Sequence, residues 1–151
     1  MTIYLGIDPG KSGSICRIDS SGGVGLVVKT DETYRDIWDH LYCASRESVR
    51  CLAVIEQVNS MPGQGVASTF KFGESFGLLL GLLTAAGIPF ERVRPAMWCK
   101  EFGLKRKHGE SGTDWKNRHK QLAQELFPDI EITHATADAL LIAEYCRRKN
   151  I

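Results

Sequence analysis

The 151-residue sequence lacks the usual marks of a disulfide or zinc scaffold. Its five cysteines, at 16, 43, 51, 99 and 146, are odd in number, scattered and never spaced as CxxC. That pattern argues against a disulfide framework and leaves reduced cysteines in apolar stretches as the expectation. Also missing is an uninterrupted apolar run of the roughly eighteen or more residues that a membrane-spanning helix needs. The longest candidate, 76–88, is short and broken by glycine. No basic leader precedes Asp8, so the first residues read as a strand rather than a signal peptide, and a cytoplasmic location is expected. The phosphate-loop sequence GxxxxGK[ST] is absent. A strong charge of one sign is absent as well: the formal net charge is +1, which by itself announces no polyanionic partner.

What the sequence does have is charge unevenly placed. Residues 92–120 hold nine Lys or Arg, among them Arg94, Lys105, Lys107, Lys116 and Lys120, against the acids Glu101, Glu110 and Asp114. Such a run is ordinarily a solvated face. It becomes a phosphate-binding patch where it borders a site that handles polyanions.

Hydrophobic periodicity organises the chain into one domain, 1–151, with no internal repeat. Residues 3–8 alternate, with Ile3, Leu5 and Ile7 on one side and Tyr4, Gly6 and Asp8 on the other. Strands over 14–18 and 24–28 follow, joined through Ser20-Ser21-Gly22-Gly23, giving an antiparallel meander. Tyr34, Ile37, Trp38, Leu41 and Tyr42 mark the apolar stripe of a helix. A fourth strand covers 51–58, a long helix 67–86 and a fifth strand 90–93. Phe72, Phe76, Leu79, Leu80 and Leu83 give the long helix its apolar face. Pro95 suits the first turn of a short helix. Gly103–Gly112 reads as a flexible basic loop, Thr113 as the cap of a helix ending before Pro128, and Thr133 or Thr136 as the cap of the last helix. The main order, β-β-β-α-β-α-β-α-α, describes an α/β fold with a five-stranded mixed sheet, a three-strand meander continued by parallel strands and flanked by helices.

Three acids stand out by position. Asp8 ends the first strand, Glu56 lies near the end of the fourth, and Asp138 interrupts an apolar helix. An acid withdrawn from water is costly unless it is paired or bound to a cation. Taken singly, each reads as a cap or an ion-pair partner. Converging, they form a hard-oxygen cluster that selects Mg²⁺ or Mn²⁺ and suits phosphodiester hydrolysis with two ions. Asp8, on a central strand, is the expected bridging ligand. His134, four residues before Asp138, shares its helix face and reads equally as a ligand, a charge-steadying imidazolium or an exposed helix-start histidine.

Leu5-Gly6-Ile7-Asp8-Pro9-Gly10, Val54-Ile55-Glu56-Gln57-Val58 and Ala137-Asp138-Ala139-Leu140-Leu141-Ile142-Ala143 occur in the order and rough spacing of the RuvC-like Holliday-junction resolvases, which this sequence resembles over essentially its whole length. The segments Met61-Pro62-Gly63-Gln64-Gly65 with Phe72-Gly73, and Arg94-Pro95-Ala96-Met97-Trp98, resemble the phage-encoded branch. The resemblance implies an RNase H-like fold. It also implies a homodimer that nicks four-way DNA junctions in paired strands with Mg²⁺ or Mn²⁺, and it matches Asp8, Glu56 and Asp138 to the catalytic acids. The sequence departs from that pattern at two places. Ala135 occupies a position where many members carry an acid or histidine, with His134 the nearby substitute. Asn59 stands where some members place an aromatic against junction bases, with Met61 and Phe70 the nearest apolar residues. Beside such a site, Arg94, Lys105, Lys107, Lys116 and Lys120 become candidate phosphate contacts that hold DNA without reading its sequence.

Gly73, Gly77 and Gly81 recur every fourth residue in the long helix. Glycine weakens a helix, so the stripe implies close approach of another backbone: the sheet, or the same helix of a second subunit. Three other readings stand beside the resolvase. One is a general flap- or branch-selective nuclease of the same fold. Another is a junction binder without catalysis. The third is an actin-like ATPase domain using Gly6 to Gly13 as a phosphate loop.

Overall fold

The structure is a computed structural model and describes residues 1–10, 12–30, 33–47, 50–59, 63 and 65–151. Met61, Pro62 and Gln64, each named above, lie outside the described residues. The strands are β1 (Thr2–Ile7), β2 (Ser14–Asp19), β3 (Val24–Lys29), β4 (Arg50–Glu56) and β5 (Phe90–Val93). The helices are α1 (Tyr34–Glu47), α2 (Val66–Ala85), α3 (Pro95–Glu101), α4 (Gly112–Leu126) and α5 (His134–Lys149). The short helix started by Pro95 therefore adds a third helix after β5.

The five strands form one sheet in the order β3-β2-β1-β4-β5. The first three run as the expected antiparallel meander, while β4 and β5 continue the sheet in parallel with β1. Alternation along β1 divides the core into two layers. Ile3, Leu5 and Ile7 face Ile37, Leu41, Leu79 and Leu83 of α1 and α2. Tyr4 faces the other way, into a layer built on α5 with Trp98, Ala123 and Phe127.

Gly6 controls how close α5 comes to the sheet. A Cβ built there would stand 2.1 Å from both the carbonyl oxygen of Ala139 and the amide nitrogen of Ala143. Any side chain at this position would push the helix away from β1. The Ser14 hydroxyl donates to the Ala135 carbonyl (2.9 Å) and holds the first turn of α5 over β2. Asp138 lies between these two anchor points.

Several local expectations change. The buried stripe of α1 is Ile37, Leu41 and Ala44, while Tyr34 and Tyr42 are exposed. The cap of α4 is Ser111, whose hydroxyl accepts from the Asp114 amide (3.0 Å), not Thr113. Thr133 is the N-cap of α5, and Thr136 answers it by accepting from the Thr133 amide (3.0 Å). Four cysteines are buried, but Cys43 is exposed. The basic segment before α4 has irregular backbone but is tied down: Glu110 accepts from Arg118 Nη1 (3.0 Å) and from the Lys107 amide (3.0 Å). By length and composition, α2 is the one described helix apolar enough to cross a bilayer, a property the interrupted run 76–88 did not reveal. Here it lies on the sheet through Leu79 and Leu83.

Candidate active site

Parallel pairing sets the first two acids side by side. Ile7 is registered with Ile55, so Asp8 and Glu56 leave adjacent strands at the same level. The Asp8–Pro9–Gly10 turn then closes tightly: the Asp8 amide donates to the Ser14 carbonyl (3.0 Å) and the Gly13 amide to the Gly10 carbonyl (2.9 Å). A Cβ on Gly13 would lie 2.0 Å from the Asp8 carbonyl oxygen, so only glycine fits that turn. From the layer above, α5 brings Asp138 to the same end of the sheet. All three acids are half-buried.

Their charges act on one another. Burial raises the Asp8 pKa above its ordinary value; the Gly10 amide opposes this, Asp138 adds to it, and the Lys116 ammonium opposes it. Burial pushes Glu56 up to about 7, against the indole N–H of Trp98 and with the charges of Asp8 and Asp138 adding to the rise. The Cys99 thiol is pushed to about 12, first by burial and then by Asp138 and Glu56. Each acid is thus within electrostatic reach of at least one of the others.

Each carboxylate is also held by a single N–H donor. The Gly10 amide donates to Asp8 Oδ1 (3.0 Å), Trp98 Nε1–H to Glu56 Oε2 (2.8 Å), and His119 Nδ1 bonds Asp138 Oδ1 (2.6 Å). Among the described residues, the second oxygen of each acid has no hydrogen-bond partner. His119 is 4% exposed and packs edge-on against Trp98 (5.3 Å between ring centres) and Trp115 (4.3 Å). Among the described residues its Nε2 is buried without a partner, an arrangement that costs about 1–3 kcal/mol.

Among the described residues, no three His, Cys, Asp or Glu side chains stand close enough to share one ion as placed. The donor chemistry nevertheless fits a hard divalent cation. Three half-buried carboxylates repel one another, each presents an unpartnered oxygen, and a cation would relieve both the repulsion and the desolvation.

His134 lies elsewhere. It is exposed at the start of α5, and its Nε2 bonds Asn117 Oδ1 (2.8 Å) rather than any of the three acids. The histidine that touches an acid is His119, which the sequence reading missed, as it missed Trp98. Of the expected phosphate contacts, Lys116 is near enough to act on Asp8. Lys120 follows one turn later on α4, and Arg94, Lys105 and Lys107 are exposed on segments flanking α3. A groove of about 600 Å³ between α3 and α4 is lined by Cys99, Lys100, Lys105, Arg106 and Trp115. None of the three acids lines this groove; among its lining residues, Cys99 is the one whose thiol is raised by the charges of Asp138 and Glu56. Phe70 is 73% exposed on α2.

The architecture has solved counterparts. The fold is RuvC-like. The structure of Thermus thermophilus RuvC in complex with Holliday junction substrate superposes with a TM-score of 0.62 at 18% identity, covering 99% of this chain and 96% of that one. A second Thermus thermophilus RuvC structure gives a TM-score of 0.57 at 18% identity, covering 98% and 96%. By sequence, the chain matches no known family profile and no curated protein.

Glu56 makes stability depend on pH. Its folded-state pKa, about 7, lies above its ordinary 4.5, so across that window the folded protein holds a proton that the unfolded chain has lost. Folding stability therefore falls as pH rises from about 5 to about 8. For the metal-free protein the expected loss is about 2 kcal/mol, reduced from the full shift because the group is partly solvated. Asp8 acts in the same direction. Urea unfolding at the two pH values checks this: Glu56→Gln is expected to flatten the difference, and an equally steep pH dependence in that variant would assign it to other groups.

Proposed function

We propose that the protein is a divalent-metal-dependent endonuclease that resolves four-way DNA junctions. The observation that carries the reading is the placing of Asp8, Glu56 and Asp138 at one end of a RuvC-like sheet, each with an oxygen free for a cation and with the Lys116 ammonium close enough to act on Asp8. Asp8, Glu56 and Asp138 would hold Mg²⁺ or Mn²⁺, and two such ions supply Lewis-acid charge to the attacked phosphodiester. Lys105, Lys107, Lys116, Lys120 and Arg94 bind DNA phosphates and set the position of the backbone over the acids. His134 stands at the edge of this arrangement, with the Asn117 contact holding its imidazole.

Paired nicks need two active sites related by symmetry, so the acting species in this reading is a homodimer. The outer face of α2 suits the contact. Val66 (88% exposed), Phe70, Gly73, Gly77 and Gly81 share one stripe, and a Cβ on any of the three glycines would meet nothing within 4 Å. The sheet therefore does not account for the glycine stripe, and a second copy of α2 is the remaining explanation of the two considered.

The deciding experiment is cleavage of a mobile four-way junction in Mg²⁺ or Mn²⁺, with matched duplex and flapped DNA. Paired, junction-selective nicks are expected. Equal cutting of all three substrates would favour a general branch nuclease, and tight binding without cleavage at any metal concentration a junction binder. Lys105→Ala combined with Lys107→Ala is expected to weaken junction binding and lower the slope of log affinity against log salt by about 2. An unchanged slope, measured by fluorescence anisotropy across a salt series, would remove both lysines from the DNA contact.

A further inference from the structure

We propose that Trp98 and His119 are positioning residues, which fix Glu56 and Asp138 so that the unbonded oxygen of each is presented to a divalent cation. The assignment rests on the metal-dependent reading given above. Both donors come from elements other than those carrying the acids: Trp98 from α3 against Glu56 at the end of β4, and His119 from α4 against Asp138 on α5. Both are rigidly mounted. Trp98 is 1% exposed, and the His119 ring sits between Trp98 and Trp115. Two acids on different elements are thus referred to one aromatic unit, with Trp98 touching both Glu56 and His119. A carboxylate with one oxygen held by an N–H loses its freedom to rotate, and its other oxygen is directed as a consequence.

Packing alone does not explain the histidine. An ionised carboxylate only accepts, so the His119 nitrogen facing Asp138 carries the hydrogen. The other ring nitrogen, Nε2, is buried with no partner among the described residues. An apolar ring would fill the same space between two tryptophans without that penalty. What it would lack is the bond to Asp138, and that bond is the feature the sequence retains at the expense of an orphaned nitrogen.

The test is a titration of the full-length protein with Mn²⁺ in the absence of DNA, following free Mn²⁺ by electron paramagnetic resonance. Trp98→Phe and His119→Phe keep the rings and delete the donors. Each is expected to weaken Mn²⁺ binding by about 10–100-fold. Junction affinity in EDTA should stay at the wild-type level, and cleavage should recover at high Mn²⁺. His119→Asn, which returns an N–H near the same place, is expected to restore most of the Mn²⁺ affinity. Wild-type Mn²⁺ affinity in both phenylalanine variants would overturn the proposal. So would a loss in His119→Phe that asparagine does not repair, since that pattern reports ring packing. If His119→Phe fails to fold, Trp98→Phe decides alone. The titration needs no substrate, so absence of junction cleavage by the wild type counts against the proposed function and not against this assignment. A wild-type protein that binds no Mn²⁺ overturns it.

Discussion

Asp8→Asn is expected to abolish strand cleavage while leaving junction binding near the wild-type level. Asp8 leaves the central strand of the sheet and is fixed by the Gly10 amide in a turn that glycine at position 13 allows to close. Its charge raises the pKa of Glu56, and the charge of Asp138 raises its own. Asparagine keeps the volume and an oxygen able to accept from Gly10, but it removes the negative charge that a cation shared between ligands needs. Lost transition-state charge stabilisation of several kcal/mol corresponds to a rate fall of about a thousandfold or more. In the proposed reading DNA affinity rests on the lysines and on Arg94, so it is expected to change little. Relief of repulsion among the acids should also make the metal-free variant more stable above pH 7 than the wild type. Single-turnover cleavage and anisotropy binding on the same junction measure both halves. Wild-type nicking by Asp8→Asn would take Asp8 out of the chemistry, and equal losses of binding and cleavage would make it a docking residue instead.

The sheet was legible because successive side chains of a strand point to opposite faces. Ile3, Leu5 and Ile7 on one side and Tyr4 and Gly6 on the other correspond to two different core layers. The α1 stripe was harder to read because aromatic residues outrank alanine in hydrophobicity. Tyr34 and Tyr42 drew the face outward, whereas Ala44 is buried in the same core layer as Ile37 and Leu41. The α4 cap was ambiguous for a local reason: Ser111 and Thr113 both cap well, and backbone conformation chooses between them. The acids could be nominated from strand ends and an apolar helix, but their donors could not. Trp98 meets Glu56 across 42 residues and His119 meets Asp138 across 19, contacts that no periodicity encodes. One signal was present. Trp115, His119 and Ala123 stand four residues apart on α4, which places a histidine on an apolar helix face. His134 attracted attention because it shares a helix with Asp138, yet helical spacing fixes only which face a residue takes. Asn117 of the neighbouring helix decides where its ring points.

Gly6→Ala connects the fold to the chemistry, and it is expected to be strongly destabilising. The new Cβ would fall 2.1 Å from two backbone atoms of α5, Ala139 O and Ala143 N. No rotamer change relieves a clash between backbones, so α5 must lift from β1. Overpacking in a well-filled core costs about 1–3 kcal/mol, and contact with a fixed backbone belongs at the upper end or beyond. Asp138 moves with the helix, which pulls it from both Asp8 and His119. Cleavage should therefore fall further than stability does, even at a temperature where the variant is fully folded. Gly73→Ala is the matched control. Its Cβ would meet nothing within 4 Å, and alanine in place of glycine within a helix is favourable by about 1 kcal/mol. It should raise the stability of the isolated subunit and leave the acids undisturbed, while sedimentation reports whether self-association through α2 weakens. Urea midpoints, Mn²⁺ titration and junction cleavage on the two variants separate the effects. An unfolding midpoint for Gly6→Ala equal to that of the wild type would mean that α5 does not rest on β1 at this point, and the route by which Asp138 reaches the other two acids would have to be drawn differently.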